Sequence, residues 1–231
     1  MVSIKGLQKT SMIDYPGKMC SIIFTANCNM RCPFCQNPDL ILKKDSMPDL
    51  DEDKIIEFMN SRKEWLDGVC ITGGEPLIYD DLHVLMKKFK DNKFLVKLDT
   101  NGLNPELLKK IIEAKLVDYI AMDIKSDKEN YSKAANVNVD MAKIEESIKI
   151  IKESEVEYEF RSTIVPEFFD EKIVENISVW LKGSKKFYLQ QFRSSMPLLD
   201  KSFEGKESYP ESKLEEFKSI LAKNIQTVEI R

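Results

Sequence analysis

Short β-branched and apolar runs recur along this 231-residue chain, and a helical pattern separates each from the next. Strands are expected at Ser21–Thr25, Val69–Thr72, Phe94–Asp99, Tyr119–Ile124, Glu157–Val165, Phe187–Gln191 and Thr227–Ile230, where β-branched and aromatic residues cluster. Apolar residues at the helical period mark Asp51–Arg62, Asp80–Lys90, Pro105–Ala114, Met141–Ser154, Glu171–Leu181 and Lys213–Lys223. Asn104 with Pro105 at the first helical position, and Asp140, are start signals. Units of about 25–35 residues that alternate in this way build a parallel sheet. A complete eight-fold barrel takes about 250 residues. The length therefore suits a partial barrel of six or so strands, or an open doubly wound sheet. All of 1–231 reads as one domain. About 1–200 would form its core, and 201–231 would add a last helix and strand after the loop-like Lys201–Ser212.

In such folds the functional loops follow the C-terminal ends of the strands. Cys28, Cys32 and Cys35 follow the first expected strand, Gly73-Gly74-Glu75-Pro76 the second and Asp99-Thr100-Asn101-Gly102 the third. Asp123-Ile124-Lys125 ends the fourth, Arg161, Val165 and Pro166 lie on or after the fifth, and Gln190-Gln191-Phe192-Arg193 ends the sixth. Polar and glycine-rich groups thus recur on one face.

Three of the five cysteines fall within eight residues. Thiolates at this spacing let one loop wrap a soft metal centre. Three of them can hold three irons of a 4Fe–4S cubane and leave the fourth iron open. Structural zinc is the alternative, but it takes four closed ligands. The single histidine, His83, sits in a helical segment and reads as a surface or core residue. Cys20 and Cys70 lie in or beside strands and read as core. The double glycine of Gly73-Gly74-Glu75-Pro76 lacks the ending of a phosphate loop. It would let backbone carbonyls come close to a ligand, and with Glu75 it would suit an ammonium group.

Taken together, Cys28-x3-Cys32-x2-Cys35 with Phe34 before the last cysteine, and Gly-Gly-Glu-Pro about 40 residues on, resemble the radical S-adenosylmethionine (SAM) enzymes. The stretch Phe24–Leu40, with Asp99–Gly102, Met122–Lys125 and Arg161-x3-Val165-Pro166, is similar to the glycyl-radical-enzyme activases. Gly6–Ser11, Asp14–Lys18 and Gln190–Ser195 look most like the longer activating proteins of anaerobic ribonucleoside-triphosphate reductase. Pyruvate formate-lyase activases usually carry a histidine near the end of the sixth strand; Arg193 stands about there. Five cysteines exclude the version with a ferredoxin-like insert.

The resemblance implies a partial (β/α)6 TIM-like barrel of parallel strands, laterally open. It implies a 4Fe–4S cluster on Cys28, Cys32 and Cys35. SAM would be held by Phe34, Gly73, Gly74, Glu75, Pro76, Asn101 and Lys125. Within that set the Gly73–Glu75 turn takes the methionine ammonium, Lys125 the carboxylate and Asn101 the ribose. Phe34 packs near the adenine or shields the cluster, with core packing an even alternative. Asp99, Thr100 and Asp123 would flank a monovalent cation; a salt bridge to Lys125 is the alternative. The implied activity is reductive cleavage of SAM to a 5′-deoxyadenosyl radical, which takes a hydrogen atom from a glycine of a partner enzyme. Anaerobic ribonucleoside-triphosphate reductase is the expected partner, and reduced flavodoxin or ferredoxin the electron donor. Other readings are an activase of pyruvate formate-lyase or a related enzyme, a radical SAM enzyme acting on a small molecule such as a deazaguanine precursor, and a plain metal-binding module. A net charge of −4 disfavours general nucleic-acid binding. No apolar run approaches the length of a membrane helix. The start of the chain has no signal-peptide h-region, and the expected compartment is the cytoplasm.

Overall fold

The structure is a computed structural model and describes residues 1–231. Each apolar run forms a strand: β2 (Cys20–Thr25), β3 (Gly68–Gly73), β4 (Leu95–Thr100), β5 (Tyr119–Asp123), β6 (Glu157–Ile164), β7 (Lys186–Gln191) and β8 (Thr227–Ile230). An eighth strand, β1 (Ile4–Ser11), precedes them and is absent from the sequence expectation. Its sequence, IKGLQKTS, carries a glycine and a polar second half, and only Ile4 and Ser11 are buried. An edge strand needs no continuous apolar run, so the usual signal is missing. It pairs antiparallel with β2 from Ile4 opposite Thr25 to Ser11 opposite Cys20.

The sheet runs in chain order from β1 to β8. Pairs β2–β3, β3–β4, β6–β7 and β7–β8 are parallel. The result is an α/β architecture whose sheet is mostly parallel, as expected, with the antiparallel β1 as an addition. The helices are α1 (Asp39–Leu42), α2 (Glu52–Asn60), α3 (Leu82–Asp91), α4 (Pro105–Glu113), α5 (Tyr131–Ala135), α6 (Met141–Glu153), α7 (Glu171–Trp180) and α8 (Glu211–Leu221). The short α1 and α5 have no periodic signal. No helix is long and apolar enough to cross a membrane.

The residues group into two compact units. The first takes Met1–Asn29, Asp39–Ala121 and Ala142–Glu157. Strands β2 and β3 are buried on both faces through Ile22, Ile23, Val69, Cys70 and Ile71, the usual condition of parallel strands. Helix α3 contributes Leu82, Leu85, Met86 and Phe89, and α4 contributes Leu107, Leu108 and Ile111. Asn104 starts α4 by accepting the N–H of Leu107 at 3.1 Å, with Pro105 at the first helical position. Asp51 caps α2 in the same way, accepting from Asp53 and Lys54. Each buried aliphatic or aromatic side chain contributes about 1.5–3 kcal/mol of transfer free energy.

The second unit takes Met30–Pro38, Met122–Met141 and Tyr158–Arg231. Its core joins Phe160 and Ile164 of β6 and Phe187 and Leu189 of β7 to Val174 and Ile177 of α7 and Leu214, Phe217 and Leu221 of α8. Fully buried Glu159 is neutralised by Arg231, whose guanidinium lies 2.9 Å from it and stacks 3.3 Å from the ring centroid of Tyr188.

Candidate active site

In the first unit the double glycine is a matter of packing. Gly73 has φ +117°, and a Cβ on it would stand 2.4 Å from Thr25 N. A Cβ on Gly74 would stand 1.6 Å from Asn27 O. No side chain fits at either position. Gly74 N donates to Thr25 O at 2.8 Å, and Glu75 N to Asn27 O at 2.7 Å. Asn27 itself has φ +63°. Tyr79 adds a hydroxyl bond to Ala26 O at 2.9 Å. The turn after β3 is thereby stitched to Thr25–Asn27, the root of the cysteine loop.

Glu75 is only 2 % exposed. Its Oε1 accepts from Leu77 N at 3.0 Å and from Thr100 Oγ1 at 2.7 Å; its Oε2 accepts from Asn101 N at 2.7 Å. This carboxylate braces the loop after β3 against the loop after β4. Pro76 opens the short 3-10 turn that follows. Thr100 accepts from Gly102 N at 3.0 Å, which tightens the second loop.

Asn101 turns toward the cysteine loop. Its Nδ2 lies 2.7 Å from Asn29 Oδ1 and 3.9 Å from Cys28 Sγ, while its Oδ1 accepts the N–H of Leu103 at 3.1 Å. Asp99 forms a buried ion pair with Lys97, and the Lys97 ammonium also stands 3.8 Å from Cys70 Sγ. Cys20 and Cys70 are fully buried in a cluster with Tyr15, Ile22 and Tyr119. Burial, with Asp14 nearby, pushes the Cys20 thiol up to about 12. Both cysteines are core, as expected.

In the second unit the Cys32–Cys35 turn closes with Cys35 N on Cys32 O at 3.1 Å. Leu199 N and Asp200 N donate to the carbonyls of Cys35 and Pro33, both at 3.0 Å. Phe34 is buried and packs 5.7 Å from Phe168, which stacks on Phe203.

Asp123, at the end of β5, sits between two cations, with Lys125 Nζ at 2.8 Å and Arg161 Nε at 2.6 Å. Burial disfavours its charge, but Arg161 and Lys125 outweigh that and hold the carboxyl below the usual range. Lys125 shows the mirror case. Burial opposes its charge, yet Asp123 and Cys32 hold the ammonium above the ordinary lysine range. Burial pushes the Cys32 thiol up, while Lys125 favours its thiolate. The salt bridge between Asp123 and Lys125, offered above as the alternative to a cation site, is present; Asp99 has Lys97 instead.

Cys28, Cys32 and Cys35, none in a disulfide and all within eight residues of sequence, have the donor chemistry of an iron–sulfur cluster with one open iron, and Lys125 favours the thiolate of Cys32. Zinc would need a fourth ligand. Cys20 and Cys70 are in the core, and exposed His83 places Nδ1 2.8 Å from Asp80 O. No three His, Cys, Asp or Glu side chains stand together as a ready-made metal constellation. Two residues escaped the sequence reading. Lys97 was detectable as a lone cation in an apolar strand, two positions before Asp99 and so on the same face. Asn29 carried no signal.

The family model of the radical SAM superfamily matches residues 22–178. The chain is 34 % identical over 234 aligned positions to a protein of Methanocaldococcus jannaschii provisionally named a glycyl-radical enzyme activating enzyme, covering 99 % of this chain and 95 % of that one. A second protein of that organism, similarly named, is 30 % identical over 80 % of this chain and 74 % of its own length. Among solved structures, a domain of a pyruvate formate-lyase-activating enzyme from Bacteroides vulgatus shares the fold. Its TM-score is 0.57 and its identity 18 %, over 71 % of this chain and 98 % of that domain.

Proposed function

The chain belongs to the radical SAM superfamily, whose members use a 4Fe–4S cluster and SAM, and from this we propose that it activates a glycyl-radical enzyme. The observation that carries the reading is the near-full-length similarity to a protein named for that activity, together with three thiols and a Gly-Gly-Glu-Pro turn after successive strands. The partner we infer is anaerobic ribonucleoside-triphosphate reductase. Its support is the likeness of Gly6–Lys18 and Gln190–Ser195 to the longer activating proteins of that reductase, and the absence of a histidine at the end of the strand β7.

In this reading Cys28, Cys32 and Cys35 hold the cluster. The bound cluster and SAM would supply the radical chemistry, by which one hydrogen atom would be taken from a glycine Cα of the partner. The chain's own residues bind and orient. Backbone carbonyls of Gly73 and Gly74 would receive the methionine ammonium. Glu75 holds the loops after β3 and β4 in register, since three donors engage its oxygens. Lys125 meets the carboxylate as a point charge, kept cationic by Asp123, which Arg161 steadies in turn. Reduced flavodoxin or ferredoxin supplies the electron.

The test is electron paramagnetic resonance on anaerobically reconstituted, reduced protein mixed with SAM and a candidate partner. A glycyl-radical doublet on anaerobic ribonucleoside-triphosphate reductase, absent with pyruvate formate-lyase, supports the full reading. A doublet on pyruvate formate-lyase alone keeps the activase and overturns the partner. Loss of a small deazaguanine precursor with no protein radical overturns the activase.

A further inference from the structure

We propose that Asn101 sets the reduction potential of the cluster by donating an N–H···S hydrogen bond to Cys28. The inference concerns the family's cluster and holds whichever substrate the enzyme serves.

The geometry is built from three loops. Asn101 follows β4, is 4 % exposed, and its backbone N–H is held by Glu75 Oε2 at 2.7 Å. Its side-chain amide can point only one way. Oδ1 accepts the N–H of Leu103 at 3.1 Å, so the NH2 end must face the cysteine loop. That end carries two hydrogens. Asn29 Oδ1, 2.7 Å away, takes one, and Cys28 Sγ, 3.9 Å away, lies within reach of the other. The backbone of Cys28 is not free to drift from this donor. Asn27, one residue earlier, accepts from Glu75 N and donates to Leu40 O at 2.9 Å. Glu75 therefore fixes donor and acceptor together, through its carboxylate on one side and its backbone on the other.

The consequence follows from charge. One-electron reduction adds negative charge to the cluster and its thiolate sulfurs. A hydrogen-bond donor on a ligating sulfur stabilises the reduced state more than the oxidised one and raises the potential. Partial burial strengthens the effect, because the donor competes with less water. Asn101 is in this sense a positioning residue that acts through Cys28.

The experiment is a redox titration of the reconstituted protein without SAM, monitored by electron paramagnetic resonance. Iron content is measured in parallel. Asn101→Ala with wild-type iron should show a midpoint shifted to more negative potential. Asn101→Asp, which removes the donor and adds a charge, should shift further. Asn29→Ala keeps both the donor and its Leu103 anchor and should stay near wild type. An unchanged midpoint in Asn101→Ala at full iron content overturns the proposal, and so does an equal shift in Asn29→Ala. A variant that loses its cluster leaves the question to the wild-type protein. Pulsed measurement on protein carrying asparagine labelled with 15N in the side chain should then show a 15N coupling on the reduced cluster. Its absence overturns the proposal as well.

Discussion

Replacing Gly74 by alanine should be far more damaging than the loss of a hydrogen atom suggests. The new Cβ would lie 1.6 Å from Asn27 O and 2.5 Å from Asn27 C, both backbone atoms that no rotamer change can move. Either the turn or the root of the cysteine loop must shift. The displaced segment carries the bonds from Gly74 N to Thr25 O and from Glu75 N to Asn27 O. Each has a net worth of about 1 kcal/mol, and forcing extra volume into a packed site costs about 1–3 kcal/mol more. The sum, about 3–5 kcal/mol, is at the top of the range for single substitutions. Gly183→Ala is the control. That residue has φ +82° with nothing within 4 Å of the added carbon, so it bears only the left-handed backbone penalty of about 1–2 kcal/mol. Equilibrium urea unfolding of the cluster-free protein, read as midpoint at constant slope, measures both. Gly74→Ala no more destabilising than Gly183→Ala would refute the claim that backbone approach, rather than conformation alone, demands this glycine.

Lys97→Met should cost about 3 kcal/mol, because it strips the adjacent cation from a buried carboxylate; adding Asp99→Leu should recover most of that in the same unfolding assay. Asp123 binds its proton less readily folded than unfolded. Its contribution is therefore complete above the ordinary carboxylate range, about pH 4, and is lost as pH falls through it toward the lower folded value. Stability of Asp123→Asn measured from pH 6 to pH 3 should accordingly fall less steeply than wild type. Native alkylation of the cluster-free protein at pH 8, followed by mass spectrometry, should label Cys28 and Cys35 first. Cys20 and Cys70 should stay unlabelled until the protein unfolds, since both are fully buried; early labelling of Cys70 would contradict its place beneath Lys97.

Much of the architecture was legible because parallel strands buried on both faces need near-continuous apolar runs, and β2 and β3 have them. Strand β1 was not, because an edge strand with one pairing partner can be polar along most of its length. The cysteine spacing, the double glycine and the cap on α4 are local features. Their physical demands are met within a few residues, so the chain alone states them. The partners of the site carboxylates are different. Glu75 looked like a ligand for an ammonium group, and its oxygens are engaged by Leu77, Thr100 and Asn101. Asp99 and Asp123 were expected to flank a monovalent cation or to meet Lys125; in the fold Lys97 lies against the first, and Lys125 and Arg161 lie against the second. The side chain of Asn101 meets Cys28 and Asn29, more than 70 residues away in sequence. Local backbone geometry and apolar periodicity are short-range, and the sequence by itself determined them. Which donor meets which carboxylate is settled only when strands from distant parts of the chain stop at the same level of the sheet, and that the tertiary structure decided.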